Sequence, residues 1–131
     1  MSKLACPSFS VAPISAADAA TTMVLAGIIS PAQIQADQHD YNPANLATAS
    51  TLRLSSDTTR NITGIVGGAN GRMLILHNIG GFSIVLTNQD ALSAFQNRFR
   101  FSANLTLASF QSLMIQYDAT SQWWRAVGSP A

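Results

Sequence analysis

The chain has 131 residues, 47% of them hydrophobic and only 10% charged, with a net charge of +1. That is room for one domain whose core needs no staples, with a charged fraction well under the roughly 25% of an ordinary soluble domain. There is no Glu and one Lys, and the six Arg are scattered at 53, 60, 72, 98, 100 and 125. No basic run follows a phosphate backbone, which argues against a nucleic-acid partner.

The lone Cys6 excludes an internal disulfide and a cysteine zinc site. The longest wholly apolar run, Met23 to Ile29, is too short to span a bilayer, and no secretory apolar region is visible, so no membrane partner is expected. Ser, Thr, Asn and Gln carry the polarity instead. Such a surface suits strands and turns, and it suits packing against copies of itself, since interface cores are poor in Lys, Glu and Asp.

Residues 1–30 read as an N-terminal arm, rich in Ser, Ala and Pro, and residues 31–131 as a β domain. Within the arm, Leu4, Phe9, Val11 and Ile14 are the apolar side chains available to a neighbour. Ser15 to Asp18 has the form of a capping box, while Thr21 to Ile29 fits a helix or a strand equally well. Ser30-Pro31 ends whatever precedes it. Ile34 to Pro43 is a polar connector anchored by Ile34 and Tyr41. Thr51 to Ser55 alternates with its leucines inward, and Asn61 to Val66 follows as a strand.

Gly67 to Gly71 ends in Asn-Gly, a strong hairpin signal. The stretch Arg72 to Asn88 then predicts two strands joined through Asn78-Ile79-Gly80-Gly81 as a central hairpin. Its runs Met73 to Leu76 and Ile84 to Leu86 lack polar alternation, as in strands buried on both faces. Met73 and Ile75 thereby become interface candidates. Ser93 to Asn97 predicts one helical turn. Arg98 to Ser102, Leu105 to Leu107, Ser112 to Asp118 and Trp123 to Val127 predict further strands. Trp123 and Trp124 point to opposite faces, so at most one enters the core from this strand and the other meets solvent, a ligand or a subunit. Asp118 and Arg125 can pair across the last turn. The fold class expected is all-β, an antiparallel β-sandwich or jelly-roll-like domain.

No catalytic motif emerges. The run Gly64 to Gly71 lacks the Lys and the following helix of a phosphate loop. Asp37, His39 and Asp40 offer metal-type donors that a hydrogen-bonded connector explains as well. The expectation is a protein without catalytic residues, cofactor or metal.

Taken in order, Ile34…Ala36-Asp37…Asp40-Tyr41-Asn42-Pro43, Leu52-Arg53-Leu54-Ser55-Ser56-Asp57, Ile62-Thr63-Gly64-Ile65, Gly71-Arg72, Leu76-His77-Asn78-Ile79-Gly80, Asn97-Arg98-Phe99, Tyr117-Asp118 and Trp124-Arg125 form a pattern. It resembles a β-rich domain of tailed-bacteriophage virion proteins, found in tail fibres, spikes, head fibres and small capsid-associated proteins. The resemblance covers residues 33–128. It implies a virion structural component, commonly a homotrimer. A chain that is mainly this domain plus an arm fits a capsid decoration (cement) protein on the outer capsid surface, made in the host cytoplasm, with the major capsid protein and itself as partners. The alternative is a head-fibre or tail-tip module that binds a receptor glycan.

Overall fold

The computed structural model describes residues 22–128. These are mostly β: β1 (Ile28–Ile29), β2 (Thr51–Leu54), β3 (Arg60–Ile62), β4 (Met73–Asn78), β5 (Ile84–Leu86), β6 (Leu105–Leu107), β7 (Ser112–Asp118) and β8 (Trp123–Val127). One sheet has the order β1-β2-β4-β7-β8, and a second has the order β3-β5-β6. Single 3-10 turns at Leu46–Thr48 and Phe95–Asn97 complete the regular structure, the latter inside the predicted helical turn.

Both sheets are mixed. β4–β7, β7–β8 and β5–β6 are antiparallel, as expected, but β1–β2, β2–β4 and β3–β5 are parallel. The parallel pairs arise because the chain alternates between the sheets. It leaves β2 for β3 in the other sheet, returns to β4 beside β2, and crosses again to β5 beside β3. The result is a short coil. Gln38 lies opposite Ile62, Tyr41 opposite Ile65, Thr51 opposite Ile75 and Arg60 opposite Ile84, each a step of 24 residues. The connector is the first rung of this coil: Ile34 N–H donates to Ser55 O, Gln38 N–H to Asn61 O and Tyr41 N–H to Gly64 O. Its anchors Ile34 and Tyr41 are buried as the sequence indicates.

The predicted central hairpin is therefore absent. β4 and β5 follow one another in sequence but belong to different sheets, and Asn78 to Gly81 is the corner between them. The Asn-Gly signal closes a real turn, with Arg72 N–H donating to Ala69 O and Gly71 at φ 84, yet it too carries the chain between layers. Turn chemistry reports a change of direction, not the partner of the next strand. Arg98 to Ser102 alternates, with Phe99 and Phe101 inward, but forms only isolated bridges. Ile28 and Ile29, inside the expected arm, are the edge strand of the larger sheet.

The inner faces of both sheets supply one hydrophobic core, with Leu52, Leu54, Leu74, Leu76, Ile115 and Trp124 from the larger sheet and Ile62, Ile84, Leu86 and Leu107 from the smaller. Arg72 fastens the return segments. Its guanidinium donates to Gly67 O at 2.8 Å, Leu46 O at 2.6 Å and Ala49 O at 3.1 Å.

Candidate functional site

Successive strand residues point to opposite faces of a sheet, so the pairing registers fix what the larger sheet presents outward. Ile28, Thr51, Ile75, Met114 and Val127 are mutual partners and form one transverse row across all five strands. On one side runs the polar row Arg53, His77 and Ser112; on the other lie Met73, Gln116 and Arg125. Ile28 is 62% exposed, and Met73 and Val127 are each 40% exposed, while Ile75 and Met114 are half-buried. An aliphatic side chain left in water forgoes about 1.5–3 kcal/mol of burial, so this set of partly exposed apolar side chains, on either side of the buried Thr51, marks a contact surface.

The same face ends in an aromatic corner. Arg98 to Arg100 runs along the free edge of β8, where Trp124 N–H donates to Arg98 O and Arg100 N–H to Trp124 O. Phe99 turns inward, which sets Arg98 and Arg100 on the outer side beside Trp123 and Arg125. Phe95 packs on Trp123 with centroids 5.1 Å apart, Arg100 lies 5.5 Å over Trp123, and Arg98 lies 5.7 Å over Phe95. Arg125 pairs with Asp118 at 2.9 Å across the last turn, as expected.

The Asp37, His39 and Asp40 trio disperses. Asp37 Oδ1 accepts Asn61 N–H, His39 Nδ1 bonds Thr63 Oγ1 at 2.8 Å, and Asp40 Oδ1 accepts Ala94 N–H and Asn97 Nδ2, both at 2.8 Å. Thr63 and Ser93 share a buried hydroxyl contact, and Ser93 Oγ accepts Asp40 N–H. This is a strut tying the first rung to the Ser93 loop. Among the described residues no cluster of three or more His, Cys, Asp or Glu converges as metal ligands would.

The Asn97 amide and then the Ala94 N–H hold the Asp40 carboxyl below its ordinary value of 3.8. A depressed carboxyl stabilises the fold above the unfolded-state value, and that contribution disappears as pH falls through the folded-state value. Asp40→Asn is expected to change stability at neutral pH by less than about 1 kcal/mol and to flatten the loss of Tm between pH 5 and 3. An unchanged acid slope would assign that slope to other carboxyls, such as Asp57 and Asp118, which are lowered by Arg60 and by Ser121 respectively.

Of the interface candidates, Met73, Ile75 and Trp123 lie on the outer face. Trp124 does not: it is 0% exposed and belongs to the chain's own core. Leu4, Phe9, Val11 and Ile14 lie outside the described residues. The sequence reading missed Ile28, Met114 and Val127. Met114 was legible, because the inward set Leu113, Ile115 and Tyr117 leaves it facing out between them. No family model, no curated protein and no solved structure matches the chain.

Proposed function

We propose that this chain is an assembling structural protein, a bacteriophage capsid decoration protein whose copies trimerise and clamp the outer shell. The observation that carries the reading is the row Ile28, Thr51, Ile75, Met114 and Val127 laid across the whole larger sheet, in which Ile28 and Val127 stand exposed and Ile75 and Met114 half-buried around the buried Thr51. A surface poor in Lys and Glu and the resemblance to phage virion domains favour the same role. The two-sheet body then serves as a sandwich-like platform, with jelly-roll layering as the finer form of this proposal. The apolar face meets the neighbouring copies, leaving other surfaces for the major capsid protein. Contacts modest in themselves gain avidity when symmetry repeats them.

Light scattering on the purified chain is expected to give the mass of a trimer, and Ile75→Lys to give a folded monomer. The substitution puts an uncompensated charge in the middle of the row, and fully burying it costs several kcal/mol. A wild-type monomer at tens of micromolar, or a trimer indifferent to Ile75→Lys, would remove the proposal.

A further inference from the structure

Strands β6 and β7 form an antiparallel cap on the last rung of the coil, β7 beside β4 and β6 beside β5. The chain passes from one to the other through a tight turn at Ala108 to Gln111, where Gln111 N–H donates to Ala108 O. That turn is tied to the corner after β4. Phe110 N–H donates to Asn78 O, Asn78 N–H to Gln111 O, and Ser109 Oγ to Gly80 O. The tie holds Phe110 at φ 64, in the left-handed region that bulky L side chains avoid. Of the five described non-glycine residues with positive φ, it is the one apolar side chain. It is also 82% exposed, so packing within the chain does not offset the strain. Strained backbone of this kind clusters where a protein meets something else. Ile79 and Phe82, in the corner to which the turn is tied, are exposed as well.

Beside this knob lies a recess. An open slot of about 370 Å3 runs between β6 and the start of β7, lined by Leu105, Thr106, Leu107, Gln111, Ser112 and Leu113. Leu107 and Leu113 belong to the core, and Leu105 packs against it. A cavity of about 150 Å3 takes a benzene ring, so the slot has room for a phenyl group. A projection next to a recess is self-complementary about a two-fold axis, because each copy supplies what the other lacks. We propose that this corner is a contact between two copies of the chain, the Phe110 of each seated in the slot of the other. The chemistry selects a copy over other occupants. Residues 79–83 and 105–113 carry no charged side chain. Like copies therefore do not repel, while an anionic lipid surface or a charged protein finds nothing to pair with. The corner lies beyond Arg53 and His77 from the row through Thr51 and Ile75, so it is a second surface and not an extension of that row. Where the row builds trimers, the two-fold contact joins one trimer to the next.

Amide NMR on the full-length chain reads the contact at its own residues. The contact is small, so it should fill between about 20 µM and about 1 mM. Over that range the amides of residues 79–82 and 105–113 are expected to move, in the wild type and equally in Ile75→Lys, which lacks the row contact. Phe110→Gly removes the knob and relieves the turn, since glycine adopts positive φ freely. It should weaken the association by about tenfold or more and leave Tm no lower than that of its parent. Thr106→Lys keeps the knob but puts a charge at the rim of the slot, and should weaken the association too. The mixture is decisive: labelled Phe110→Gly should regain its shifts at residues 105–113 when unlabelled Thr106→Lys is added, because that pair retains one knob and one open slot. The proposal is overturned by shifts that survive Phe110→Gly, by none at the highest concentration, or by no recovery in the mixture. A fall in Tm on Phe110→Gly overturns it as well, by showing that the ring packs within its own chain. Shifts induced only by phosphatidylcholine vesicles would assign the corner to a lipid surface instead. A wild-type chain that shows these shifts but no trimer leaves this contact standing, and a trimer without them removes this contact alone.

Discussion

Trp124→Ala will cost about 3–5 kcal/mol. The side chain is 0% exposed, its ring meets Tyr117 edge-on with centroids 5.2 Å apart, and its Nε1 donates to Ile65 O at 2.9 Å. Ile65 is the point where the coil pairs with Tyr41, and Trp124 sits on the terminal strand of the larger sheet. Removing the indole therefore opens a cavity and strips a buried carbonyl of its partner, at a junction of the coil with the antiparallel cap. Against a total stability of about 5–15 kcal/mol, much of the population unfolds under mild conditions. Guanidinium titration should show a lower midpoint with an unchanged slope. Trp124→Phe separates the parts: it keeps most of the packing and loses the hydrogen bond, for about 1–3 kcal/mol. A loss under 1 kcal/mol in the alanine variant would mean that the core does not close around this residue. Trp123→Ala should be far milder, since it removes one layer of the Phe95 and Arg100 stack at the surface.

The contrast between these adjacent tryptophans shows what the sequence could disclose. Period-two alternation located β2, β7 and β8 closely, because inward residues such as Leu52 and Leu54, Ile115 and Tyr117, or Trp124 and Ala126 are separated by the polar Arg53, Gln116 and Arg125. It also showed that at most one of the two tryptophans enters the core from this strand. It could not say what lies beside each strand. β4 read as buried on both faces because Met73 and Ile75 are apolar, whereas the fold buries Leu74 and Leu76 and leaves the other pair on the outer face. The excess apolar surface was legible; its position as part of a five-strand row needed the registers. The 24-residue coil left no repeat to find. Leu52 is matched by Leu76 and Ile62 by Leu86, but Leu54 is matched by Asn78 and Arg60 by Ile84. Stacked rungs demand compatible faces, not identical residues. The first rung was hidden for a related reason, since a polar connector with two buried anchors looks the same whether it crosses a surface or runs along a sheet.

Asn78 is the residue that sequence reasoning most undervalued, and substituting it will reverse the acid behaviour expected of this protein. It stands at the end of β4, is 1% exposed, and its Nδ2 donates to Phe82 O at 2.8 Å and Leu107 O at 2.9 Å while its Oδ1 accepts Gly80 N–H at 3.1 Å. One side chain thus shapes the corner between the sheets and joins the larger sheet to β6 of the smaller. Asn78→Leu removes all three bonds, of which the one to Leu107 O is buried and the other two part-buried, and costs about 2–4 kcal/mol. Asn78→Asp adds a sharper signature. A carboxylate there faces two carbonyl oxygens and is buried, and both effects favour the neutral acid, so the folded-state pKa lies above the unfolded value of about 3.9. A raised carboxyl destabilises the fold progressively as pH climbs above that unfolded value, by up to about 1.4 kcal/mol per unit until the folded-state pKa is passed. The Asp variant should therefore be nearer to wild type at pH 4 than at pH 7, while Asn78→Leu keeps a constant deficit. Chemical denaturation of the three proteins at both pH values decides the matter: an Asp variant whose deficit is the same at pH 4 and 7 would place residue 78 in contact with water rather than at the junction of the two sheets.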